Sequence, residues 1–540
     1  MNENRDENQG APTGVSYWLD TFSPRQRPPL SDDLQVDVCV IGAGIAGLTT
    51  AYFLARAGKS VAVLEDGLIG SGMTGYTTAH LTNALDDRYY ELERYHGQAG
   101  ARLAADSHTA AIRAVEDIVH AEGIDCDFRR VDGYLFRPPG DAVDELNKEL
   151  AAVHRAGLTE VAVVAGAPLE GLDSGTALRF PNQGQFHPLK YLEGLAQAIE
   201  RLNGRIFCHT HATSAAGGRP ARVETNVGHA VTAEDLVIAT NVPINDRLVI
   251  HTKQAPYTTY VVGLEVSAPA PAGAGEALAS ARPALYWDTR QSAGDEASGK
   301  APYHYARLAR GDGGGDILIV GGEDHKSGQA EKDSEEIFRN LVAWTRERWP
   351  MAGAVRYRWS GQVMEPADGL AFIGRNPMDH ENVFVATGDS GNGITHGTIA
   401  GMLLSDLILG RANPWRELYD PGRIKLQTAG DFIRENANVA KELVAGLIKP
   451  AEVRHESDIP ANEGALLRRG VKRIAAFRDA GGQLHEMSAT CPHLGCTVAW
   501  NTVEKTWDCP CHGSRFDCMG HVVNGPANVD LEPLAEPAKA

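Results

Sequence analysis

The sequence lacks the features that would indicate a nucleic-acid partner. Its 540 residues include 51 Lys and Arg against 70 Asp and Glu, which gives a formal net charge of −19. A field of this sign repels phosphate backbones and anionic lipids, so we expect no nucleic-acid binding. Hydrophobic residues at 43% and charged residues at 22% exclude a disordered or fibrous chain. At roughly 150 residues per domain, the length predicts several structural units.

The sequence also has no uninterrupted hydrophobic run of the kind that spans a bilayer. Residues 36–55 are nearly uncharged, but they contain Gly42, Gly44 and Gly47, which favours a strand, a tight turn and a helix of a folded domain. The opening residues 1–6 are polar and offer no apolar core for a secretory signal. We therefore expect a cytoplasmic protein without an integral membrane segment.

Cysteine is scarce in the first 450 residues, where only Cys39, Cys126 and Cys208 occur. The other five are crowded into residues 491–518, namely Cys491, Cys496, Cys509, Cys511 and Cys518. Crowding of this kind indicates metal ligands. Cys491 and His493 form a C-x-H pair, and after 15 further residues Cys509 and His512 form a C-x-x-H pair.

These two pairs match the ligand set of a Rieske [2Fe–2S] centre, in which two thiolates hold one iron and two neutral imidazoles hold the other. The alternative is a structural zinc site with the same two cysteines and two histidines. The C-terminal part of the chain resembles the Rieske domain family, because both sequence boxes, residues 491–496 and 509–514, are intact.

The resemblance to Rieske domains implies a small antiparallel β fold with the cluster at its tip and the histidines near solvent. It further implies a disulfide between Cys496 and Cys511 that ties the two loops together, and a Ser514 hydroxyl that donates to a bridging sulfide. Cys518 lies outside this ligand set and is expected to bind no metal. Many high-potential members have tyrosine where Phe516 stands, so we expect a potential below the upper part of the ~−150 to +300 mV range.

The N-terminal glycines belong to a predicted βαβ unit. A buried strand at residues 36–41 leads into the glycine turn, and a helix and a second strand follow before Glu65. Gly42 permits the tight turn, Gly44 lets the backbone approach a pyrophosphate, and Gly47 allows close helix–strand packing. Glu65, at the end of the second strand, is placed to bind ribose hydroxyls. The alternative is a glycine-rich turn without a ligand.

A second strand–glycine–helix junction lies near residue 390. The strand pattern of residues 383–387 runs into a glycine-rich turn, and a helix pattern covers residues 396–409. Such a junction can aim N–H groups at a flavin carbonyl. The candidate contacts are Gly388, Gly391, Asn392, Gly393, Ile394 and Thr395. The sequence contains no second dinucleotide fingerprint, which argues against a flavin reductase that is fed by a nicotinamide.

Residues from about 17 to 410 resemble the FAD-dependent oxidoreductases of the D-amino-acid oxidase and glycine oxidase superfamily. The resemblance rests on the fingerprint and on residues 72–79, 236–240, 368–374 and 388–395. It implies bound FAD, taken as non-covalent, and oxidation of a C–N bond by hydride transfer. Thr74, Thr77 and Thr78 join the cofactor-binding candidates. The whole chain resembles the bacterial subgroup that carries a C-terminal Rieske domain.

The fold class that follows is an α/β Rossmann-like FAD-binding domain with an interleaved mixed β-sheet substrate domain, plus a small all-β Rieske domain. The expected division is an irregular arm at 1–30, an oxidoreductase domain at 31–430, a linker helix at 431–450 and the Rieske domain at 451–540. Within the large domain, the FAD-binding parts are expected at about 31–90, 190–245 and 355–425.

The substrate pocket is the least constrained part of the sequence. Arg307 is a candidate for holding a substrate carboxylate, with Tyr305 and His80 nearby, because family pockets often use an arginine in this way. The alternative for Arg307 is a structural ion pair on a sheet.

Flavin takes up two electrons, whereas a [2Fe–2S] cluster accepts one. The pair predicts a dehydrogenase of an amine or amino acid that passes electrons singly through the cluster to an external acceptor, either a protein or a quinone. Two alternatives are an electron-transfer protein whose flavin is fed by a partner and a redox sensor.

Overall fold

The computed structural model describes residues 13–137, 144–169, 174–245, 250–266, 283–289, 303–311, 315–329, 333–424, 429–448, 452–470 and 472–534. Two large sheets with helices packed around them form most of the molecule, and two small antiparallel sheets follow near the C-terminus. This arrangement confirms the predicted fold class.

The helices in the described residues are α1 (Tyr17–Thr21), α2 (Ile45–Arg56), α3 (Met73–Tyr76), α4 (Tyr89–Glu122), α5 (Asp144–Arg155), α6 (Pro188–Arg201), α7 (Ser334–Arg348), α8 (Gly393–Ile408), α9 (Arg416–Tyr419) and α10 (Ala429–Ile448). Most are amphipathic and bury one face. The central helices α2 and α8 are apolar over most of their surface because other elements cover them.

The strands of the two large sheets are β1 (Leu34–Ile41), β2 (Val61–Leu64), β3 (His80–Leu81), β4 (Arg129–Phe136), β5 (Ala162–Val164), β6 (Ala177–Gln185), β7 (Arg205–Phe207), β8 (Ala212–Ala216), β9 (Ala221–Thr225), β10 (Ala230–Ile238), β11 (Gln254–Val266), β12 (Leu285–Asp288), β13 (His304–Arg310), β14 (Asp316–Lys326), β15 (Ala352–Pro366), β16 (Phe372–Arg375) and β17 (Val383–Thr387). The C-terminal strands are β18 (Glu463–Arg469), β19 (Lys472–Arg478), β20 (Leu484–Ser488), β21 (Ala499–Asn501), β22 (Thr506–Asp508), β23 (Arg515–Asp517) and β24 (Val522–Asn524).

The first sheet has the order β16-β17-β10-β1-β2-β7, and its strands from β17 to β7 are parallel. Strand β1 is buried on both faces, since Val38 and Val40 pack with the helix side while Cys39 and Ile41 pack on the opposite side. This accounts for its continuous apolar run. Strand β10 runs without interruption from Ala230 to Ile238. Pairing with β1 along its length keeps the polar residues 234 and 235 within the strand.

The second sheet has the order β15-β11-β14-β13-β12-β4-β6-β3 and mixes parallel and antiparallel pairs. One face packs under α7 through an apolar cluster that includes Val262, Leu318 and Leu341. The opposite face is therefore free to form the wall of a cavity.

The C-terminal strands form a three-stranded sheet, β18-β19-β20, and a four-stranded sheet, β21-β22-β23-β24. Trp507 and Phe516 are fully buried between them, together with the sulfur atoms of four cysteines. The predicted domain boundary near residue 450 falls within residues 449–451, which lie outside the described residues. Residues 1–12 of the predicted arm lie outside them as well. None of the helices in the described ranges combines the length and apolar composition needed to cross a bilayer.

The packing of α2 on the turn after β1 depends on Gly47. A Cβ atom at this position would lie 1.9 Å from the carbonyl oxygen of Gly42. We expect Gly47→Ala to lower the free energy of unfolding by about 3 kcal/mol, the upper end for overpacking, because a backbone oxygen cannot move aside as a side chain can. Gly430→Ala is the control, since nothing lies within 4 Å of its added Cβ. Denaturant unfolding measures both, and equal stabilities would contradict the packing argument.

Candidate functional site

One cavity brings together most of the residues that the sequence assigned to cofactor binding. Those that line it are Gly42, Gly44, Glu65, Thr74, Thr77, Thr78, Gly391, Asn392, Gly393 and Ile394. Gly47, Gly388 and Thr395 are not in the lining. Gly47 packs beneath the turn, Gly388 turns the chain at φ +73°, and the Thr395 hydroxyl bonds to the backbone of Thr82.

The turn between β1 and α2 is shaped for close approach of an anion. Gly42 has φ +104°, and its amide donates to the carbonyl of Leu64 at 2.8 Å, which ties the turn to the end of β2. Gly44 caps α2 without a side chain. The Ile45 amide donates to Thr74 Oγ1 at 3.2 Å. The other amides of the first turn of α2, together with the helix dipole, favour a diphosphate at this position.

Glu65 is held at the mouth of this turn. Its Oε2 accepts a hydrogen bond from the Ala43 amide at 2.6 Å, and its Oε1 accepts one from the Gly67 amide at 3.2 Å. Burial is the main cause that raises the pKa of Glu65, and these amides oppose it. The carboxylate is therefore fixed in orientation at the end of β2, where a ribose would be bound.

The junction before α8 opens onto the same cavity. Gly391 has φ +68°, and an added Cβ would lie 2.0 Å from Asp86 Oδ2. A Cβ on Gly393 would lie 2.7 Å from Asp389 Oδ2, whose other oxygen accepts from the Met364 amide at 3.0 Å. Both glycines thus allow carboxylates to approach the backbone closely at the start of α8.

The second sheet supplies the facing wall of the cavity. Its residues in the lining include His80, Thr259, Trp287, Tyr305, Asp324, Gln362 and Glu365. The hydroxyls of Tyr305 and Thr259 are hydrogen-bonded at 2.7 Å. The ring nitrogens of His80 contact Thr78 Oγ1 at 3.0 Å and the carbonyl of Ala306 at 3.3 Å, and burial lowers the His80 pKa to about 3. His80 is therefore a neutral hydrogen-bonding residue of the wall.

Arg307 does not have the position expected for a carboxylate ligand. It is buried, and its guanidinium donates to the carbonyls of Ala79 at 2.6 Å, Phe186 at 3.2 Å and Thr78 at 3.4 Å. It also lies over the Trp18 ring at 5.2 Å, outside the cavity lining. The expectation of a substrate-binding role is corrected to a structural one, and its partners are backbone carbonyls rather than the ion pair considered as the alternative.

Sequence reasoning missed the carboxylates at this end of the cavity. Asp86, Asp324, Glu365 and Asp389 all line it. Burial raises the pKa of Asp86 to about 7 and those of Asp324 and Asp389 to about 6. A signal was available at Asp324, which is an acidic residue near the end of a strand whose preceding residues 317–322 are apolar or glycine.

Two loops in the C-terminal domain bring the predicted metal ligands together. Cys491 lies between β20 and β21, and Cys509 lies between β22 and β23. The rings of His493 and His512 have centroids 5.0 Å apart. Cys496 and Cys511 form a disulfide that joins the loops, with Cα atoms 6.4 Å apart. The four predicted ligands therefore converge from both loops, and the disulfide lies beside them.

The donor set fits a Rieske cluster. The sulfur atoms of Cys496, Cys509 and Cys511 lie within 4.8 Å of one another, but two of them form the disulfide and offer no thiolate. Hydrogen bonds with Cys509 and Ser514 contribute to lowering the pKa of Cys491 to about 7. Nδ1 of His512 is buried without a hydrogen-bond partner in the described residues, and burial lowers the His512 pKa to about 4, which favours the neutral ligand form.

The C-terminal domain packs directly on the cavity. Residues 522–525 and Ala527 belong to the lining. Gln362 Nε2 donates to the Gly513 carbonyl at 3.0 Å, and Asn524 Nδ2 donates to Gln362 Oε1 at 2.8 Å. The His251 ring lies 5.1 Å from that of His493 and 5.9 Å from that of His512. His512 is only 6% exposed, so it does not lie near solvent as the resemblance implied.

Comparison with known proteins agrees with this geometry. The profile of the FAD dependent oxidoreductase family matches residues 37–407, and that of the Rieske [2Fe-2S] domain matches residues 449–535. A protein of Bacillus subtilis (strain 168) described as a Rieske 2Fe-2S iron-sulfur protein, YhfW, is 33% identical over 525 residues, covering 96% of this chain and 97% of that one.

Two further similarities cover the large domain. The gamma-glutamylputrescine oxidoreductase of Escherichia coli (strain K12) is 26% identical over 410 residues, covering 71% of this chain and 86% of that protein. The glycine oxidase structure from Geobacillus kaustophilus superposes with a TM-score of 0.57 at 19% identity, covering 72% of this chain and 99% of that one. The chain binds FAD and a [2Fe–2S] cluster, and it belongs to the FAD dependent oxidoreductase family, with a Rieske domain at its C-terminal end.

Proposed function

We propose that this chain is a flavin-dependent dehydrogenase of an amine or amino acid that passes electrons singly through its own cluster to an external acceptor, a protein or a quinone. One observation carries the proposal: residues 522–525 of the Rieske domain line the same cavity as the dinucleotide fingerprint. An oxidase that reacts directly with dioxygen does not require a cluster domain built into the wall of its cofactor cavity.

The chemistry of the two bound groups is complementary, because FAD accepts a hydride from the substrate carbon and the cluster accepts electrons one at a time. We assign the turn at Gly42 and Gly44 to the diphosphate and Glu65 to the ribose hydroxyls. Thr74, whose hydroxyl is already hydrogen-bonded to the start of α2, shapes this end of the site. The amides at the start of α8 are assigned to the flavin ring.

We assign Cys491, His493, Cys509 and His512 as the cluster ligands. Ser514 supports them in two ways, since its hydroxyl bonds the Cys491 sulfur and accepts from the Ala527 amide at 3.1 Å. Hydrogen bonds to ligand sulfur atoms stabilise the reduced state of such a cluster. Ser514 therefore connects the cluster site to residue 527 at the edge of the cavity.

The ligand assignment predicts different effects for two neighbouring cysteines. Cys509→Ser removes a thiolate ligand, so we expect a protein without the cluster absorbance and with little iron. Cys518→Ser is the matched control, because Cys518 lies outside the ligand set and forms no disulfide. Metal analysis and electron paramagnetic resonance of both purified variants provide the measurement. Iron retained in Cys509→Ser, or zinc in the unaltered protein, would contradict the assignment.

Phe516 allows a second prediction about the cluster. Its ring is fully buried in the apolar cluster that contains Cys491 and Cys509. Phe516→Tyr introduces a hydroxyl into this apolar cluster. If it bonds a ligand sulfur, the midpoint potential is expected to rise by about 40 mV for each ~1 kcal/mol by which the new bond favours the reduced state. A redox titration of both proteins tests this. An unaltered protein already near +300 mV, the upper limit for such centres, would show that the missing hydroxyl is unimportant.

The proposed electron route is tested by anaerobic addition of amines and amino acids to the holoenzyme. We expect loss of flavin absorbance, followed by appearance of the paramagnetic signal of the reduced cluster. Loss of flavin absorbance without cluster reduction would contradict the route, and no absorbance change with any substrate would favour a flavin fed by a partner protein or a sensor.

Gln362→Met sharpens the test, because it removes both hydrogen bonds between Gln362 and the Rieske domain. Two such bonds at about 1 kcal/mol each correspond to about 30-fold in the equilibrium constant for docking, so cluster reduction is expected to slow by up to about 30-fold relative to flavin reduction. Gln197→Met is the control, since its amide bonds Glu193 within the large domain. Equal ratios of the two rates in both variants would show that this contact does not hold the domains for electron transfer.

A further inference from the structure

The cavity lining is unusual in its charge. Six carboxylates line it, those of Glu65, Asp66, Asp86, Asp324, Glu365 and Asp389, and no arginine or lysine of the described residues does. Glu65 and Asp66 follow β2 at the end assigned to the ribose. The other four belong to the end formed by the second sheet and the start of α8. A substrate at that end therefore meets carboxyl groups and no ammonium or guanidinium group in the described lining.

Aromatic side chains frame two of these carboxylates. Tyr303 and Tyr305 have ring centroids 5.5 Å apart, and the Tyr303 hydroxyl donates to Asp86 Oδ1 at 2.9 Å. Trp287 and His80 extend the same wall, with ring centroids 5.6 Å apart. The faces of Trp and Tyr rings attract organic cations, and this attraction strengthens when water is excluded.

Asp324 gives a second and independent indication of a cation. Its side chain lines the cavity and bonds Thr259, yet its Oδ1 atom is buried and has no hydrogen-bond partner among the residues described here. A buried carboxylate oxygen without a partner is costly. A ligand N–H would satisfy it.

The arginines near this end of the cavity donate hydrogen bonds to backbone carbonyls. Arg307 bonds backbone carbonyls behind the wall, as described above. Arg88 is buried, and its guanidinium donates to the carbonyl of Leu85 at 3.0 Å and to that of Asp288 at 2.9 Å. Neither lines the cavity. A substrate carboxylate would thus be desolvated beside four acidic side chains without a cationic partner in the described lining, which is unfavourable.

From this geometry we infer that the site selects a cationic amine that carries no carboxylate on the reacting carbon, held by Asp86, Asp324 and the aromatic wall. The inference rests on the proposed function for the location of the substrate, and it narrows the substrate from amino acids or amines to amines. Burial raises the pKa values of Asp86 and Asp324 towards neutrality, and a bound cation would favour their charged forms.

The test measures binding rather than turnover. tert-Butylammonium and 2,2-dimethylpropanoate have the same branched shape and opposite charge, and neither has a hydrogen on the carbon that bears the charged group. Each is titrated into the oxidised holoenzyme while the flavin absorbance spectrum is recorded. We expect tert-butylammonium to perturb the spectrum and to bind at least 100-fold more tightly than the carboxylate. Tighter binding of the carboxylate, or no binding of either probe, would overturn the inference.

Two variants test the residues. Asp324→Asn and Asp86→Asn are each expected to weaken tert-butylammonium binding by at least tenfold, while Asp32→Asn, an exposed site with the same charge change, leaves it unaltered. FAD content and melting temperature confirm that each variant is folded. Asparagine at residue 86 still accepts from Tyr303, so its fold is expected to be retained. Unchanged binding in both variants would overturn the role of these carboxylates.

Turnover then separates this inference from the proposed function. Amino acids that reduce the flavin faster than amines of the same length would overturn the inference and leave the dehydrogenase proposal standing. Selective binding of the ammonium probe without flavin reduction by any amine would have the opposite meaning, because the cation site would be supported and the dehydrogenase proposal would fail.

Discussion

The close approach of α2 and α8 is the constraint on which the two-cofactor arrangement depends. A Cβ on Gly401 would lie 2.3 Å from Thr49 Cγ2, and one on Gly397 would lie 2.5 Å from Ile45 Cγ2. These glycines let the two helices contact each other along their length. The N-termini of both helices consequently open onto one cavity. Each helix follows a strand of the first sheet, so this sheet positions the cofactor against the second sheet.

The two ends of this cavity have different chemistry because different layers build them. The turn after β1 offers backbone amides, which suit phosphate oxygens. The second sheet offers rings and carboxylates, with Tyr305 and Asp324 on neighbouring strands β13 and β14. An anionic cofactor group and a cationic substrate can therefore occupy the same cavity at separate ends. This division makes the net negative charge of the wall compatible with FAD binding.

The parts that sequence could predict are those encoded locally. The glycine turn and the two cluster boxes each place their chemistry within a short segment, so spacing alone indicates the ligand. The substrate wall draws on β3 and β11–β15, whose order in the sheet does not follow the chain. Arg307 illustrates this limit of prediction. It lies on the same face of β13 as Tyr305, but two residues along a strand cover about 7 Å. Its side chain therefore lies beyond the cavity and contacts Ala79 and Phe186.

The docked Rieske domain also determines which side of the cluster site an external acceptor can approach. The loop that holds His512 faces the flavin domain, with Gly513 bonded to Gln362 and His512 against His251. The His493 ring lies even closer to His251, at 5.1 Å, while the adjoining Leu494 is 41% exposed. Within the proposed route, electrons would enter through the face that carries both histidines and leave near the exposed Leu494. Relative potentials set the direction of transfer, and the exposed Leu494 side gives an acceptor access to the cluster site while the domain stays on its binding surface.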